Sequence, residues 1–182
     1  MIWWLAGCTS PCGSTFTHGD EAAVSSGPLS GTRTALVDQV CGPAFVATGD
    51  LEDDGTRKIV VSSFGKQAGF AVPNGFVTAL DPSDDYAVTQ ILPESEGLKW
   101  PNEPALTDLD LDGDLDVVVG LGFLVCGIDP WTADCGGLLW MEHDGSEWIR
   151  HDVIPPGAPL FYHAGVPADF DDDGLADLLT VG

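Results

Sequence analysis

Aspartate recurs at alternate positions in three nine-residue segments of this chain. The first reads Asp50-Leu51-Glu52-Asp53-Asp54-Gly55-Thr56-Arg57-Lys58, the second Asp108-Leu109-Asp110-Leu111-Asp112-Gly113-Asp114-Leu115-Asp116, and the third Asp169-Phe170-Asp171-Asp172-Asp173-Gly174-Leu175-Ala176-Asp177. Carboxylates spaced this way suit a hard cation. Ca²⁺ takes six to eight oxygens at about 2.3–2.6 Å, and a loop that curls round the ion can present them from positions 1, 3 and 5. Glycine at position 6 permits the sharp reversal that a Cβ would hinder. Position 7 then offers a backbone carbonyl, and a carboxylate at position 9 closes the cage. Loop two meets this pattern with Asp108, Asp110, Asp112 and Asp116, with Asp114 giving its carbonyl. Loop three meets it with Asp169, Asp171, Asp173 and Asp177, and Leu175 gives its carbonyl. Loop one offers Asp50, Glu52, Asp54 and the carbonyl of Thr56, but its position 9 is Lys58, which cannot ligate a cation. It is expected to be the weaker site.

Mg²⁺ fits this pattern less well, because it keeps several waters and avoids all-protein cages. An EF-hand would need a bidentate Glu at position 12 and flanking helices. Position 12 is Val61, Val119 or Thr180, and the flanks read as strands, which excludes a dockerin-type loop as well.

Composition supports the cation reading. The 29 acidic residues face only 6 basic ones, too few to neutralise a phosphate backbone, so nucleic-acid binding is excluded. Fourteen of the 29 acids fall within the 27 residues of the three loops, a crowding that like charges resist without a counter-ion. No stretch of about 18 uninterrupted apolar residues is present to span a bilayer as a helix.

The elements that must position these loops repeat with them. Loop starts lie 58 and 61 residues apart, and each loop runs into an aliphatic stretch: Ile59-Val60-Val61, Val117-Val118-Val119, Leu178-Leu179. Segments 75–81 and 137–143 match at an offset of 62 and read as a second strand. Segments 86–92 and 148–154 match at the same offset and read as a third, with turn residues between. With 23 glycines, 13 prolines and no 3.6-residue apolar period, the expected class is all-β, in repeat units of about sixty residues that must stack to bury both sheet faces.

These loops and runs resemble the FG-GAP/VCBS repeat family, the calcium-loop repeats of integrin α-chain propellers and many bacterial surface proteins. The resemblance covers residues 41–182 and rests on the Asp-x-Asp-x-Asp-Gly-x-x-Asp loop before a Leu/Val run. It implies a partial β-propeller of short antiparallel strands, about three blades here, with each loop between the first strands of its blade. The Phe-Gly and Gly-Ala-Pro signatures of FG-GAP repeats do not flank the loops. They occur as Phe64-Gly65 and Gly157-Ala158-Pro159, which favours the VCBS type. Three blades cannot close a ring, so a fragment of a longer protein, or a piece that depends on a partner, is expected.

Leu5-Ala6-Gly7-Cys8 resembles a bacterial lipobox, making residues 1–8 a truncated lipoprotein-signal-like segment and 9–40 a Cys/Gly/Ser-rich segment ahead of the repeats. A diacylated Cys8 would anchor the chain to a membrane that it does not cross. A chance apolar start is the other reading, since the segment has no basic residue and only a stub of apolar sequence. If Cys8 is lipidated, four cysteines remain and two disulfides become possible, Cys126–Cys135 and Cys12–Cys41. Free buried thiols are the alternative.

Two function classes stand against each other. One is a non-catalytic, extracellular or cell-surface scaffold for adhesion or recognition of a protein or glycan ligand. The other is the non-catalytic propeller part of a polysaccharide lyase or hydrolase. No catalytic constellation is visible. His143 and His151 read as surface polar residues near a turn and on an outer strand, and His18 and His163 form no group with them. Trp100, Trp131, Trp140 and Trp148 could stack on sugars, but they read first as core or rim.

Overall fold

The computed structural model describes residues 2–4, 21–26, 29–37, 39–66, 72–128 and 133–182. Cys8, Cys12, His18 and Trp131 lie outside them, so the lipid anchor and the Cys12 pairing do too.

Thirteen strands are described: β1 (Ile2–Trp4), β2 (Glu21–Ser26), β3 (Leu29–Ala35), β4 (Pro43–Asp50), β5 (Arg57–Ser63), β6 (Phe76–Asp81), β7 (Ala87–Leu92), β8 (Pro101–Thr107), β9 (Asp116–Leu121), β10 (Gly136–His143), β11 (Trp148–Ala158), β12 (Gly165–Ala168) and β13 (Asp177–Thr180). The sole helical element among the described residues is a 3₁₀ turn at Glu94–Glu96. The chain is therefore all-β. Strands β4-β5-β6-β7 form one antiparallel meander, β8-β9-β10-β11 a second, and β12-β13 a hairpin. A further sheet, β1-β3-β2, lies within residues 1–40, which the sequence reading left without strands, and its β1–β3 pair is parallel.

The sheets stack face to face because their central strands are apolar on both sides. Alternate residues point to opposite faces. Val60, Val77 and Ala79 thus meet Val117, Val119, Leu121, Leu139 and Met141 of the second sheet in one core. Val61, Phe76 and Leu80 turn the other way, against Val37, Val40 and Cys41. A boundary at residue 41 would cut through that second core. The far face of the second sheet receives the hairpin: a Cβ at Gly165 would lie 2.6 Å from Val118 Cγ1, and one at Gly120 2.2 Å from the Tyr162 carbonyl oxygen. Glycine is needed at both places for the backbones to approach. The hairpin's own outer residues Val166 and Leu179 are about half exposed.

One expected register shifts. Ile59 pairs with Leu80, and its counterpart Val117 pairs with Met141. The first of these strands thus repeats at 58 residues and the second at 61, not 62. Leu80 pairs with Val88 and Met141 with Arg150, so the next strand does repeat at 62 and the extra residue sits in the hairpin turn. Sequence matching alone does not place such an insertion.

Cys126 and Cys135 are joined, with 5.2 Å between their Cα atoms. Cys41 is also in a disulfide. Both findings favour the cystine reading of these residues over free thiols.

Candidate metal centre

Each acidic loop lies between the first and second strands of its sheet: 50–58 between β4 and β5, 108–116 between β8 and β9, and 169–177 between β12 and β13. All three share one backbone shape. Position 4 is left-handed at Asp53, Leu111 and Asp172 (φ 48°, 66° and 60°), and position 6 is a left-handed glycine at Gly55, Gly113 and Gly174 (φ 86°, 106° and 89°). Two such reversals within three residues make the loop curl, and glycine carries the second at no steric cost. Nothing lies within 4 Å of the Cβ position at any of these glycines, so conformation rather than space selects them.

Hydrogen bonds repeat with the shape. The position 1 carboxylate accepts the N–H groups of positions 5 and 6: Asp54 and Gly55 onto Asp50, Asp112 and Gly113 onto Asp108, Asp173 and Gly174 onto Asp169. The position 5 carboxylate accepts the N–H of position 7, from Thr56, Asp114 and Leu175, at 2.7–2.9 Å. The position 3 aspartates of loops two and three accept the N–H of position 5, Asp110 from Asp112 and Asp171 from Asp173.

These bonds draw carboxylate oxygens together. Asp50, Glu52 and Asp54 each bring one oxygen within 4.8 Å of the other two, as do Asp108, Asp110 and Asp112, and Asp169, Asp171 and Asp177. Two oxygens bound to one Ca²⁺ lie at most about 5 Å apart, so each trio can share such an ion, and an all-oxygen donor set is the chemistry it takes. Asp116 falls outside the loop-two trio and Asp173 outside the loop-three trio. In loop two, burial and the neighbouring carboxylates of Asp112, Asp116 and Glu142 hold the Asp110 carboxyl above its ordinary range, against an opposing hydrogen bond from the Asp112 amide.

Position 9 does more than the sequence suggested. Asp116 is fully buried. Its Oδ2 accepts the Leu109 N–H at 3.0 Å and its Oδ1 accepts the His143 N–H at 2.9 Å, so it ties its loop to β10. Asp177 repeats the first of these bonds, accepting from Phe170 at 3.1 Å, but it is exposed. In loop one Lys58 instead donates to Asp81 Oδ2 at 2.6 Å, with Glu52 Oε2 at 3.9 Å. That ammonium holds the Asp81 carboxyl down at about 2, helped by Ser83. Asp81 was not singled out in the sequence, although a strand pairing that sets Lys58 opposite Asp81 would have flagged the pair.

Adjacent loops are also joined. The Leu115 N–H donates to the Leu51 carbonyl at 2.9 Å, and the Leu51 side chain is buried between the first two sheets. An apolar residue inside an acidic loop was the available signal for this anchor.

His143 is not the surface residue that its place near a turn predicts. His143 is buried, stacked on Trp148 at 4.4 Å, and its Nδ1 has no hydrogen-bond partner among the described residues, with Asp114 Oδ2 3.8 Å away. Donation of its backbone N–H to Asp116 draws it inward. His151 is half exposed, bonded to Glu142 and stacked on Trp140 at 4.3 Å. Trp100 is buried, and Trp140 and Trp148 are half-buried, as core and rim residues should be.

No protein-family model matches the chain, and neither a curated protein nor a solved structure matches it.

Proposed function

We propose that this chain is a calcium-binding repeat module of an extracellular or cell-surface scaffold, in which Ca²⁺ at loops 108–116 and 169–177 orders the crossing between the first two strands of each sheet. The observation that carries this reading is the threefold recurrence of one curled loop, each copy converging three carboxylates at the same place in its sheet. Like charges held this close repel, and a divalent cation relieves that repulsion more fully than backbone amides do. Asp108, Asp110 and Asp112 with the Asp114 carbonyl, and Asp169, Asp171, Asp173 and Asp177 with the Leu175 carbonyl, are the ligands we assign. Asp116, whose two oxygens each accept one backbone amide, keeps lone pairs for the ion and is the position 9 ligand we assign.

Two four-stranded antiparallel meanders that share a core, with the β12-β13 hairpin on the far side, support reading the sheets as blades of a β-propeller. The disulfide at Cys126–Cys135 supports an oxidising compartment. Such a module presents loops and turns on its ends for a protein or glycan ligand. Ligand docking is then a matter of surface, and the ions act on the loops' rigidity.

Thermal unfolding of the full chain tests this. Binding to the native state alone stabilises it by about 2.7 kcal/mol at a hundredfold excess over Kd. The melting temperature should rise with calcium, fall back with EDTA and respond little to equal magnesium. An unchanged melting temperature across all three conditions rejects the reading.

A further inference from the structure

The ammonium of Lys58 lies 2.6 Å from Asp81 and 3.9 Å from Glu52, and its side chain is only 11% exposed. It stands at position 9 of loop one, where loops two and three carry Asp116 and Asp177. Its partner is the residue next along β6 from Leu80, which pairs with Ile59. The corresponding place on β10 is Glu142, whose carboxylate is bonded to His151. Loop one thus brings a basic residue of its own to its acids. Among the described residues, no lysine or arginine lies within 4 Å of the acids of loops two and three.

We propose that Lys58 is the resident counter-ion of loop one: anchored by Asp81, it offsets the charge of Glu52 and its neighbours in place of a divalent cation, so the first repeat is ordered without calcium. Lys58 is in this sense the residue that sets which repeats take the ion. The hydrogen bond to Asp81, and after it the charges of Glu52, Asp81 and Asp54, hold the amine above its ordinary range against the opposing effect of burial, so it is protonated at neutral pH. A covalently tethered cation cannot be removed by a chelator, whereas a bound one can. The proposal rests on the calcium reading of loops two and three but has a readout of its own.

Amide hydrogen exchange on the full chain supplies both. In the wild type, EDTA should leave exchange in 50–58 unchanged while accelerating it in 108–116 and 169–177. In calcium-free buffer, Lys58→Met, which keeps the apolar stem, should accelerate exchange in 50–58 by roughly fivefold, the upper end for one ion pair, and Lys58→Arg should restore it. Lys58→Asp should raise the calcium stoichiometry measured by titration calorimetry from two to three. The proposal is overturned if Lys58→Met leaves exchange in 50–58 unchanged, if calcium protects 50–58 of the wild type as strongly as 108–116, or if the folded Lys58→Asp protein still binds two. Calcium that protects no segment sinks the calcium reading, and the Lys58→Met comparison still decides the counter-ion role.

Discussion

Replacing Asp116 by alanine removes an acceptor that two backbone amides share. One is the His143 N–H, which is buried, and the other is the Leu109 N–H, which is half-buried. A buried donor left without an acceptor costs about 1–3 kcal/mol, and bonds to a charged group lie toward the top of the range. The buried His143 amide is therefore assigned about 2 kcal/mol. The Leu109 amide, which water can reach once its loop loosens, is assigned about 1 kcal/mol. The sum, about 3 kcal/mol, corresponds to a fall in melting temperature of roughly 6–12 °C for a chain of this size. The assay is urea unfolding in EDTA followed by tryptophan fluorescence, so that no loss of bound ion enters. Asp177→Ala is the internal comparison: its carboxylate is exposed and holds one amide, so its loss in EDTA should stay below about 1 kcal/mol. With calcium present, both variants should lose more, by whatever binding stabilisation their loops contributed. An Asp116→Ala loss under about 1 kcal/mol in EDTA, or equal losses for the two variants, would refute the claim that position 9 of loop two is a structural tie as well as a ligand.

Acidification should weaken the Lys58–Asp81 pair. The folded Asp81 carboxyl sits at about 2, below the ordinary value of about 3.9, so its contribution is whole above pH 4 and is lost as pH falls toward 2. Carbon-detected titration should show Asp81 returning toward 3.9 in Lys58→Met, and no movement would contradict the pairing. Opening the Cys126–Cys135 loop, nine residues in sequence separation, with Cys126→Ser and Cys135→Ser together should cost about 2.6 kcal/mol by chain entropy, read as a lower urea midpoint under non-reducing conditions. Gly120→Ala should destabilise strongly, because its Cβ would meet the Tyr162 carbonyl oxygen at 2.2 Å, and a melting temperature within 2 °C of wild type (~0.5 kcal/mol) would show that β9 and the 161–164 segment are not so close.

The loops were legible because their chemistry is written in consecutive residues: alternate carboxylates, a glycine that tolerates φ above zero, and an aliphatic run behind. Three strands of each meander were legible for the same reason, since β5 and β9 announce themselves as Ile59-Val60-Val61 and Val117-Val118-Val119, whereas β4 and β8, ahead of their loops, were not placed by any residue pattern. What escaped depends on partners distant in sequence. Lys58 reads as a lost ligand until the pairing of β5 with β6 brings Asp81 beside it. His143 reads as a turn residue until Asp116, 27 positions away, takes its amide. The one-residue shift of β10 hides in a turn whose length no local pattern fixes. The strands within residues 1–40 escaped because small polar residues such as those of Leu29–Ala35 carry little periodic signal.

Calcium titration of the chelator-stripped full chain by isothermal calorimetry, with Mg²⁺ in parallel, tests the central claim most directly. The account predicts two Ca²⁺ per chain, one of them lost in Asp108→Ala and the other in Asp169→Ala, with Mg²⁺ far weaker. No calcium heat, or binding that survives both substitutions, would contradict it.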